Sequence, residues 1–210
     1  YSLQRYQVKD LRDIANLVPG LEMINTAQQA AILVQLRGVG TTNITEIADG
    51  PVAIHIDGVY SPRSQGAAAL LYDIDHVEVL RGPQGTLFGR NAVGGAVSVT
   101  TSRPSDELEA EVNIGAGNYG LRTVKGMANL PLIEDELYLR VSGSTRNRDG
   151  WQENVATGER DGLEQDRWNA RMKLLWTPRD DLELEFSSDW QREQDHAGYY
   201  NVRGGSVVDS

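Results

Sequence analysis

The sequence predicts an α+β domain followed by the antiparallel strands of an incomplete transmembrane β-barrel. Short strand-like runs and one helical stretch occupy the chain before Pro104, whereas long runs of two-residue alternation between apolar and polar side chains follow it. The chain has 210 residues with 22 glycines, no cysteine and a formal net charge of -10. We therefore expect one domain at residues 1–104 and about five barrel strands at residues 105–210.

The elements of the first domain are short. The stretch VKDLRDIANLV, residues 8–18, places apolar residues at helical spacing and is stopped by Pro19-Gly20. Strands are predicted in four runs, which are AILVQL from Ala31, VAIHIDGVY from Val52, DHVEVL from Asp75 and GAVSVTT from Gly95. A unit of about a hundred residues has the size of a single domain.

The second region contains four segments in which one face is apolar and the other is polar or charged. They are LEAEVNIGAG from Leu108, LYLRVSGSTR from Leu137, RWNARMKLLW from Arg167 and LELEFSSDWQ from Leu182. A fifth segment, YGLRTVKGMANL from Tyr119, changes parity between Arg122 and Lys125, which predicts a β-bulge there.

The connections between these segments alternate in length. PLIEDE and TPRDD are short, whereas NRDGWQENVATGERDGLEQD is long and polar. Outer-membrane barrels have short periplasmic turns, longer extracellular loops and girdles of aromatic residues, and Trp168, Trp176 and Trp190 lie near predicted strand ends. A soluble β-sandwich with one buried face is the alternative, but its strands average about five to six residues and these run to about ten.

The polar faces of the last two segments carry opposite charges. Arg167, Arg171 and Lys173 share one face of their strand. Glu183, Glu185 and Asp189 share one face of the next. We expect these groups to meet across the hairpin inside the lumen of the barrel.

The glycine-rich segment VEVLRGPQGTLFGRNAVGGAVSVTT, residues 77–101, does not fit a nucleotide site. Gly89 and Gly94 have P-loop spacing, but no Lys-Ser or Lys-Thr pair follows them. No nucleophile, base and orienting group occur together, and the histidines are scattered, so we expect no catalysis, no metal site and no cofactor. The acidic composition argues against a nucleic-acid partner.

Taken together, three stretches resemble the plug of TonB-dependent outer-membrane receptors. They are LRGVGTT from Leu36, AIHIDGVYSPR from Ala53 and the segment from Val77 to Pro104. The resemblance implies a barrel of about 22 strands whose lumen is closed by the N-terminal plug. It further implies, in the outer membrane of a Gram-negative bacterium, import of a scarce ligand such as a ferric siderophore, cobalamin or a carbohydrate. Outer-membrane lipid would surround the barrel, and the inner-membrane TonB complex would supply the energy.

The resemblance also indicates which residues matter. Arg37 and Arg81, from two Arg-Gly motifs, are expected to pair with glutamates on the inner barrel wall, in strands beyond Ser210. Two plug turns, GTTNITE and YSPRSQG, are expected to face outward and contact the ligand. The candidate contacts in these turns are Thr41, Thr42, Asn43, Glu46, Tyr60 and Arg63. A signal peptide and the TonB box are expected outside this sequence.

Two other classes of protein compete with this interpretation. One is a passive outer-membrane pore or adhesin with a globular N-terminal domain. The other is a soluble binding module that joins an α+β unit to a β-sandwich. Neither is an enzyme. Alternation of polarity is also found in a soluble β-sandwich, so the length of the strands is the feature that favours the membrane classes.

Overall fold

A computed structural model describes residues 15, 18–25, 32–40, 50–61, 72–89, 91–153, 158 and 162–196. Within the described residues of the first half, eight elements are defined. They are β1 (Leu21–Asn25), β2 (Ile32–Leu36), β3 (Val39–Gly40), β4 (Val52–Ile56), β5 (Val59–Tyr60), β6 (Ile74–Arg81), α1 (Gly85–Phe88) and β7 (Gly95–Thr101). The predicted helix at residues 8–18 lies almost wholly outside the described residues. Strands β1 and β3 have no counterpart in the sequence-based expectations, whereas the four predicted runs all contain strands.

Two small sheets form the N-terminal domain. One has the order β1-β2-β3, and the other has the order β5-β4-β7-β6 with β4 and β7 parallel. Apolar side chains fill the space between them because alternate residues of each strand face the opposite sheet. The buried members of this core are Leu21, Val34, Leu36, Val52, Ile54, Val97 and Val99.

One glycine of this domain is required by its surroundings. Gly95 has φ +146, and a Cβ atom there would lie 2.3 Å from the carbonyl oxygen of Leu80 and 2.5 Å from Cδ2 of Leu36. The glycine-rich segment therefore allows close approach of backbone and side chain where β7 begins, as a structural rather than a phosphate-binding feature. The short helix α1 precedes it and begins two residues after Pro83.

Five long antiparallel strands form the rest of the described chain. They are β8 (Glu109–Ala116), β9 (Arg122–Ile133), β10 (Leu137–Arg148), β11 (Gln165–Arg179) and β12 (Leu182–Asp195), ordered β12-β11-β10-β9-β8 in one open sheet. We call this sheet the wall sheet. Three residues or fewer separate β9 from β10 and β11 from β12, whereas the connection at 149–164 is long, as the sequence predicts.

The two faces of the wall sheet have inverted polarity. Ile114 is 80% exposed on one face, together with Phe186 and Trp190, whereas Lys173 is only 2% exposed on the other. A soluble sheet buries its apolar face, so a protein with apolar side chains outside and charges inside is built for lipid around it. The described residues include no helix that is both long and apolar enough to cross a membrane.

The parity predicted for four of the strands is confirmed, but the predicted bulge in β9 is wrong. Strands β8 and β9 pair without interruption from Ala116↔Arg122 to Glu109↔Asn129. Arg122 lies on the apolar face at the end of the strand, where a long cationic side chain can reach the polar edge of the bilayer. Lys125 lies on the polar inner face, together with Met127. The apparent slip therefore comes from two residues of unexpected polarity in a regular strand, Arg122 on the apolar face and Met127 on the polar one.

Candidate functional site between the two regions

The first contact between the N-terminal domain and the wall sheet is made by Asp57. Asp57 and Gly58 have φ values of 47 and 78 between β4 and β5, as a type I′ hairpin turn requires. The Asp57 carboxylate accepts hydrogen bonds from the backbone N–H of Thr101 at 2.8 Å and from its hydroxyl at 2.6 Å. Its Oδ2 also lies 3.1 Å from Nζ of Lys173, which projects from β11.

This environment keeps Asp57 ionised. Partial burial raises the pKa of the carboxyl group, but the hydrogen bonds from Thr101 and the nearby Lys173 ammonium outweigh it, so the pKa lies below its ordinary value of 3.8. Lys173 is almost completely buried, and its Nζ also lies 3.5 Å from Oε1 of Glu185 on β12. Two carboxylates therefore compensate the buried ammonium group, one from each region of the molecule.

A second contact is a two-pronged ion pair between Asp73 and Arg140. Nε of Arg140 donates to Oδ2 of Asp73 at 2.8 Å, and Nη2 donates to Oδ1 at 2.6 Å. Side-chain exposure is 7% for Asp73 and 9% for Arg140, so this pair is withdrawn from water. Asp73 directly precedes β6 and its carbonyl accepts from Ser102 N–H at 2.9 Å, which fixes the carboxylate beside the wall sheet. Parallel hydrogen bonds between a guanidinium and a carboxylate are among the strongest polar contacts in proteins.

A third contact joins Tyr72 to Arg171. Nη1 of Arg171 donates to the Tyr72 carbonyl at 3.2 Å, and the guanidinium carbon lies 4.9 Å from the centre of the tyrosine ring. Nε of the same arginine donates to Asp189 of β12 at 2.7 Å. Burial raises the pKa of the Tyr72 hydroxyl, although the charge of Arg171 partly opposes that effect, so the phenol stays neutral.

The linker after β7 is also attached to the wall sheet. Arg103 forms ion pairs with Glu183 and Glu185 of β12. Asn129 of β9 is completely buried and binds the backbone of Ser105 on both sides, accepting from its N–H at 3.1 Å and donating to its carbonyl at 2.9 Å. The linker therefore lies along the inner face, at the end of the wall sheet with the short turns.

The two ion pairs that join the strands of the domain to the wall sheet share one arrangement of charge. The N-terminal domain supplies carboxylates, Asp57 and Asp73, and the wall sheet supplies cations, Arg140 and Lys173. Removing one member of a buried pair leaves the other charged and desolvated, and this typically costs about 3–5 kcal/mol. The arrangement can therefore hold the domain firmly against the inner face without closing an apolar interface.

Comparison with known proteins identifies this architecture. Residues 2–96 match the sequence model of the TonB-dependent receptor plug domain. The pesticin receptor of Yersinia enterocolitica is 28% identical over 199 residues, which cover 91% of this chain and 29% of that protein. The crystal structure of the ferric yersiniabactin uptake receptor FyuA from Yersinia pestis superposes with a TM-score of 0.82 at 27% identity, over 90% of this chain and 30% of that one. The N-terminal domain is a plug domain of the TonB-dependent receptors, and the chain as a whole is similar to members of that family.

The family assignment gives the two regions their names. The N-terminal domain is the plug, and the wall sheet is part of an outer-membrane β-barrel, open in this chain. The ferrichrome outer membrane transporter of Escherichia coli is a further relative, 28% identical over 130 residues that cover 61% of this chain and 16% of that protein. The chain spans less than a third of the length of these curated relatives.

The two arginines of the Arg-Gly motifs both lie in the part of the plug around Gly95. Arg37 has φ 54 in the turn between β2 and β3, directly after Leu36, whose side chain packs at Gly95. Arg81 ends β6 and pairs with Gly95. Both arginines are exposed. They lie at the Gly95 end of β7, whereas Asp57 and Asp73 lie at the Thr101 end, so the plug carries two separate charged groups.

The candidate ligand contacts are described only at Tyr60. Thr41, Thr42, Asn43, Glu46 and Arg63 lie outside the described residues. The Tyr60 hydroxyl accepts a hydrogen bond from Nδ2 of Asn91 at 2.8 Å, and its ring centre lies 5.6 Å from that of His55. Tyr60 therefore has a role in packing one face of the plug sheet, and its contact with a ligand stays a prediction.

The charges predicted to meet across the last hairpin do so in part. Arg171 is opposite Asp189, and Lys173 reaches Glu185 diagonally, as expected. Arg167 instead pairs with Glu193 and Asp195, which the sequence analysis did not select. The aspartates of the plug were also missed, because Asp57-Gly58 and Asp73 have the composition of ordinary turns and strand starts. The buried basic residues of the strands were the available signal that carboxylates from elsewhere must face them.

Proposed function

We propose that this chain forms the plug and first barrel strands of a receptor that imports a ferric siderophore across the outer membrane, driven by TonB. The observation that carries the proposal is the likeness to the ferric yersiniabactin uptake receptor, which extends over both the plug and the wall sheet. The names of the ferrichrome transporter and the Salmonella typhimurium ferrioxamine B receptor point to the same ligand class.

We place the boundary between the two regions at residues 104 and 105. Strand β7 of the plug ends at Thr101 and β8 begins at Glu109, so the boundary falls in the linker between them. Arg103 and Ser105, on either side of it, both bind the wall sheet. This attachment supports a linker that stays with the barrel when the plug rearranges.

Arg37 and Arg81 are proposed to act as a latch against glutamates of other barrel strands. Their exposure in this chain fits side chains whose partners lie elsewhere in the receptor. They lie at the Gly95 end of the plug, whereas Asp73 meets Arg140 at the Thr101 end. A pull by TonB on the N-terminal segment would then act on a plug fixed to the first strands at one end and latched at the other.

Ligand recognition is proposed to use the two plug turns, at residues 40–46 and 60–66. Both follow short strands and carry hydroxyl, amide, aromatic and cationic groups suited to a hydrated recognition surface. Replacing Tyr60 and Arg63 by alanine in the complete receptor should weaken ligand binding, and unchanged affinity would remove these turns from the site.

The import function is tested with a deletion of the receptor gene. Growth of the deletion strain and its parent is compared on defined ferric siderophores, cobalamin and carbohydrates as limiting nutrients. Loss of growth on one or more ferric siderophores alone, restored by the complete gene, supports the proposal. A growth defect confined to cobalamin or to a carbohydrate would mean that the receptor is a transporter for that nutrient and not for a siderophore. Equal growth on every source overturns the proposal.

The latch is tested by replacing Arg81 with alanine in the complete receptor. We expect increased permeability to small solutes with a folded barrel, because an unpaired partner glutamate would loosen the plug while the strand ladder stays intact. Permeability, uptake and heat-modifiable mobility on gels are measured together. Arg122→Ala, on the outer face of the wall sheet, is the matched control, and an Arg81 variant that matches it in every assay would show that Arg81 is not a latch.

A further inference from the structure

The linker between the plug and the first barrel strand is held by one buried side chain of the wall sheet. Asn129 of β9 is completely withdrawn from solvent, on the inner face beside Arg140. Its Oδ1 accepts from the N–H of Ser105 at 3.1 Å, and its Nδ2 donates to the carbonyl of Ser105 at 2.9 Å. Nδ2 also donates to the Ser105 hydroxyl at 3.0 Å and to the carbonyl of Glu107. We call Asn129 together with residues 105–107 the linker clamp.

The clamp gives the linker the hydrogen bonds that a neighbouring strand would give. A residue that exchanges both its N–H and its C=O with a partner is the repeating unit of an antiparallel ladder. Residues 102–108 belong to no strand, so the carboxamide of Asn129 takes the place of that partner. A buried amide is stable only when its donors and its acceptor are used, and the linker uses both ends of this one.

The clamp holds the linker more firmly than its other attachment does. Arg103 pairs with Glu183 and Glu185 of β12, but half of its side chain is exposed. Ion pairs between exposed side chains contribute little to stability, because water screens them. Breaking the contacts of Asn129 instead leaves a buried amide unpaired, which is more costly. A load on the linker is therefore borne mainly by Asn129.

The strand directly beyond the clamp forms one side of the seam that closes the barrel. Strand β8 begins at Glu109, two residues after Glu107, and β9 is its one partner among the described strands. In a complete barrel the other edge of β8 must pair with a further strand, because open sheet edges do not occur in lipid. With eight residues, β8 is also shorter than the other four strands of the wall sheet. It is the strand that a pull through the linker would reach first.

We propose that the linker clamp is a mechanical stop that keeps a pull on the plug from reaching β8. The inference rests on the proposed import function, in which TonB pulls on the plug. The N–H of Ser102 donates to the carbonyl of Asp73 in the plug at 2.9 Å, so force leaves the plug at Ser102. Along the chain it meets the contacts of Asn129 at Ser105 and Glu107 before it meets Glu109. Asn129 is thus a positioning residue that acts on the linker.

The test compares the complete receptor in cells with TonB and in cells without it. The variant is N129L, because leucine has the branched shape of asparagine without its donors and acceptor. N113L is the matched control, since Asn113 lies on the inner face of β8 itself but is exposed and bonds to Glu111 instead of the linker. All cells receive a mixture of a ferric hydroxamate, a ferric catecholate and a ferric carboxylate chelate. Iron uptake is measured, together with the fraction of receptor that migrates as a folded barrel on gels over a range of temperatures.

We expect N129L to match the parent in cells without TonB. In cells with TonB, the ratio of unfolded to folded barrel should rise at least about threefold in N129L, the scale of one lost hydrogen bond, while N113L stays at the parent value. An N129L barrel that matches the parent in the presence of TonB would overturn the inference. An equal loss of folded barrel with and without TonB would overturn it too, because that is the result of a purely structural role.

Iron uptake by the parent separates this inference from the proposed function. Uptake that requires TonB, combined with an unaffected N129L barrel, rejects the clamp and leaves the import function standing. Uptake that is the same with and without TonB rejects the proposed function and, with it, the clamp.

Discussion

The two plug sheets and the wall sheet consist of strands in which apolar and polar residues alternate, but they bury opposite faces. In the plug, Val97 is completely buried and the exposed positions are largely polar or loop residues. In the wall sheet, Lys173 and Arg171 are buried while Ile114 and Trp190 are exposed. Alternation therefore defines two faces of a strand, and the surroundings of each sheet decide which face is turned inward.

The two sheets meet through charge because of this inversion. The plug covers Arg140 and Lys173 of the inner face, and it meets these two buried cations with carboxylates rather than apolar side chains. Asp73 and Arg140 form the most buried of these pairs. A plug held by polar contacts can leave the wall without exposing an apolar core to water, as the proposed import function would require.

The largest effect is expected from breaking that pair. Asp73→Asn keeps the size of the side chain and tolerates the φ of 52. Among the described residues it leaves Arg140 with one carboxylate, Glu109, whose Oε2 lies 3.7 Å from Nη1 of Arg140. Plug attachment should weaken by about 3–5 kcal/mol. Limited proteolysis of the complete receptor should then cut the plug faster in the variant.

Asp75 provides the control for this change. It lies two residues away, is exposed, and bonds to the neighbouring His76. Asp75→Asn should leave the proteolysis rate of the plug unchanged. Equal rates for the two variants would show that the Asp73 pair does not hold the plug.

A smaller effect is expected at the outer face of the wall sheet. Phe186 is 56% exposed and lies on β12 between the levels of Trp176 and Trp190. Phe186→Lys should lower barrel stability by about 2–4 kcal/mol near the middle of the bilayer, since the face contacts lipid. Urea unfolding in lipid vesicles measures the change.

The matched control is the same kind of substitution at an exposed plug residue that faces water instead of lipid. Val59 is 71% exposed in the hairpin of β4 and β5, and Val59→Lys should change stability by no more than about 0.5 kcal/mol. A similarly small effect at Phe186 would mean that this face does not contact lipid and that the comparison between the sheets fails.

The smallest effect concerns pH. The pKa of Asp57 is below 3.8 in the folded plug, so its contribution to stability is present above the ordinary pKa and is lost as pH falls through the lowered one. Protection of plug amides from hydrogen exchange should decline below about pH 4. Asp57→Asn preserves the turn, because Asn-Gly also suits type I′ geometry, and it should remove this part of the decline. An identical pH profile in the variant would assign the acid sensitivity to other groups.

The local structure was largely predictable because it depends on neighbours in sequence. The runs from Val52, Asp75 and Gly95 became strands, and the short and long connections of the wall sheet occur where turn-forming residues cluster. The bulge expected near Arg122 is absent, because the strands β8 and β9 pair without interruption there. A change in the polarity pattern does not by itself interrupt strand pairing. The roles of the latch arginines and of the ligand turns stay predictions, because no contact of the described residues tests them.

By itself, the sequence determined the period of the strands, the division of their residues into two faces and the likeness to a plug, since these are properties of neighbouring residues. Only the tertiary structure decided that Asp73 meets Arg140, 67 residues away, and that Asp57 meets Lys173. No local pattern encodes such pairs, because a turn aspartate looks the same whether water or a guanidinium faces it. The choice is made when the plug packs against the wall sheet and water is excluded between them, so that each buried charge needs a partner.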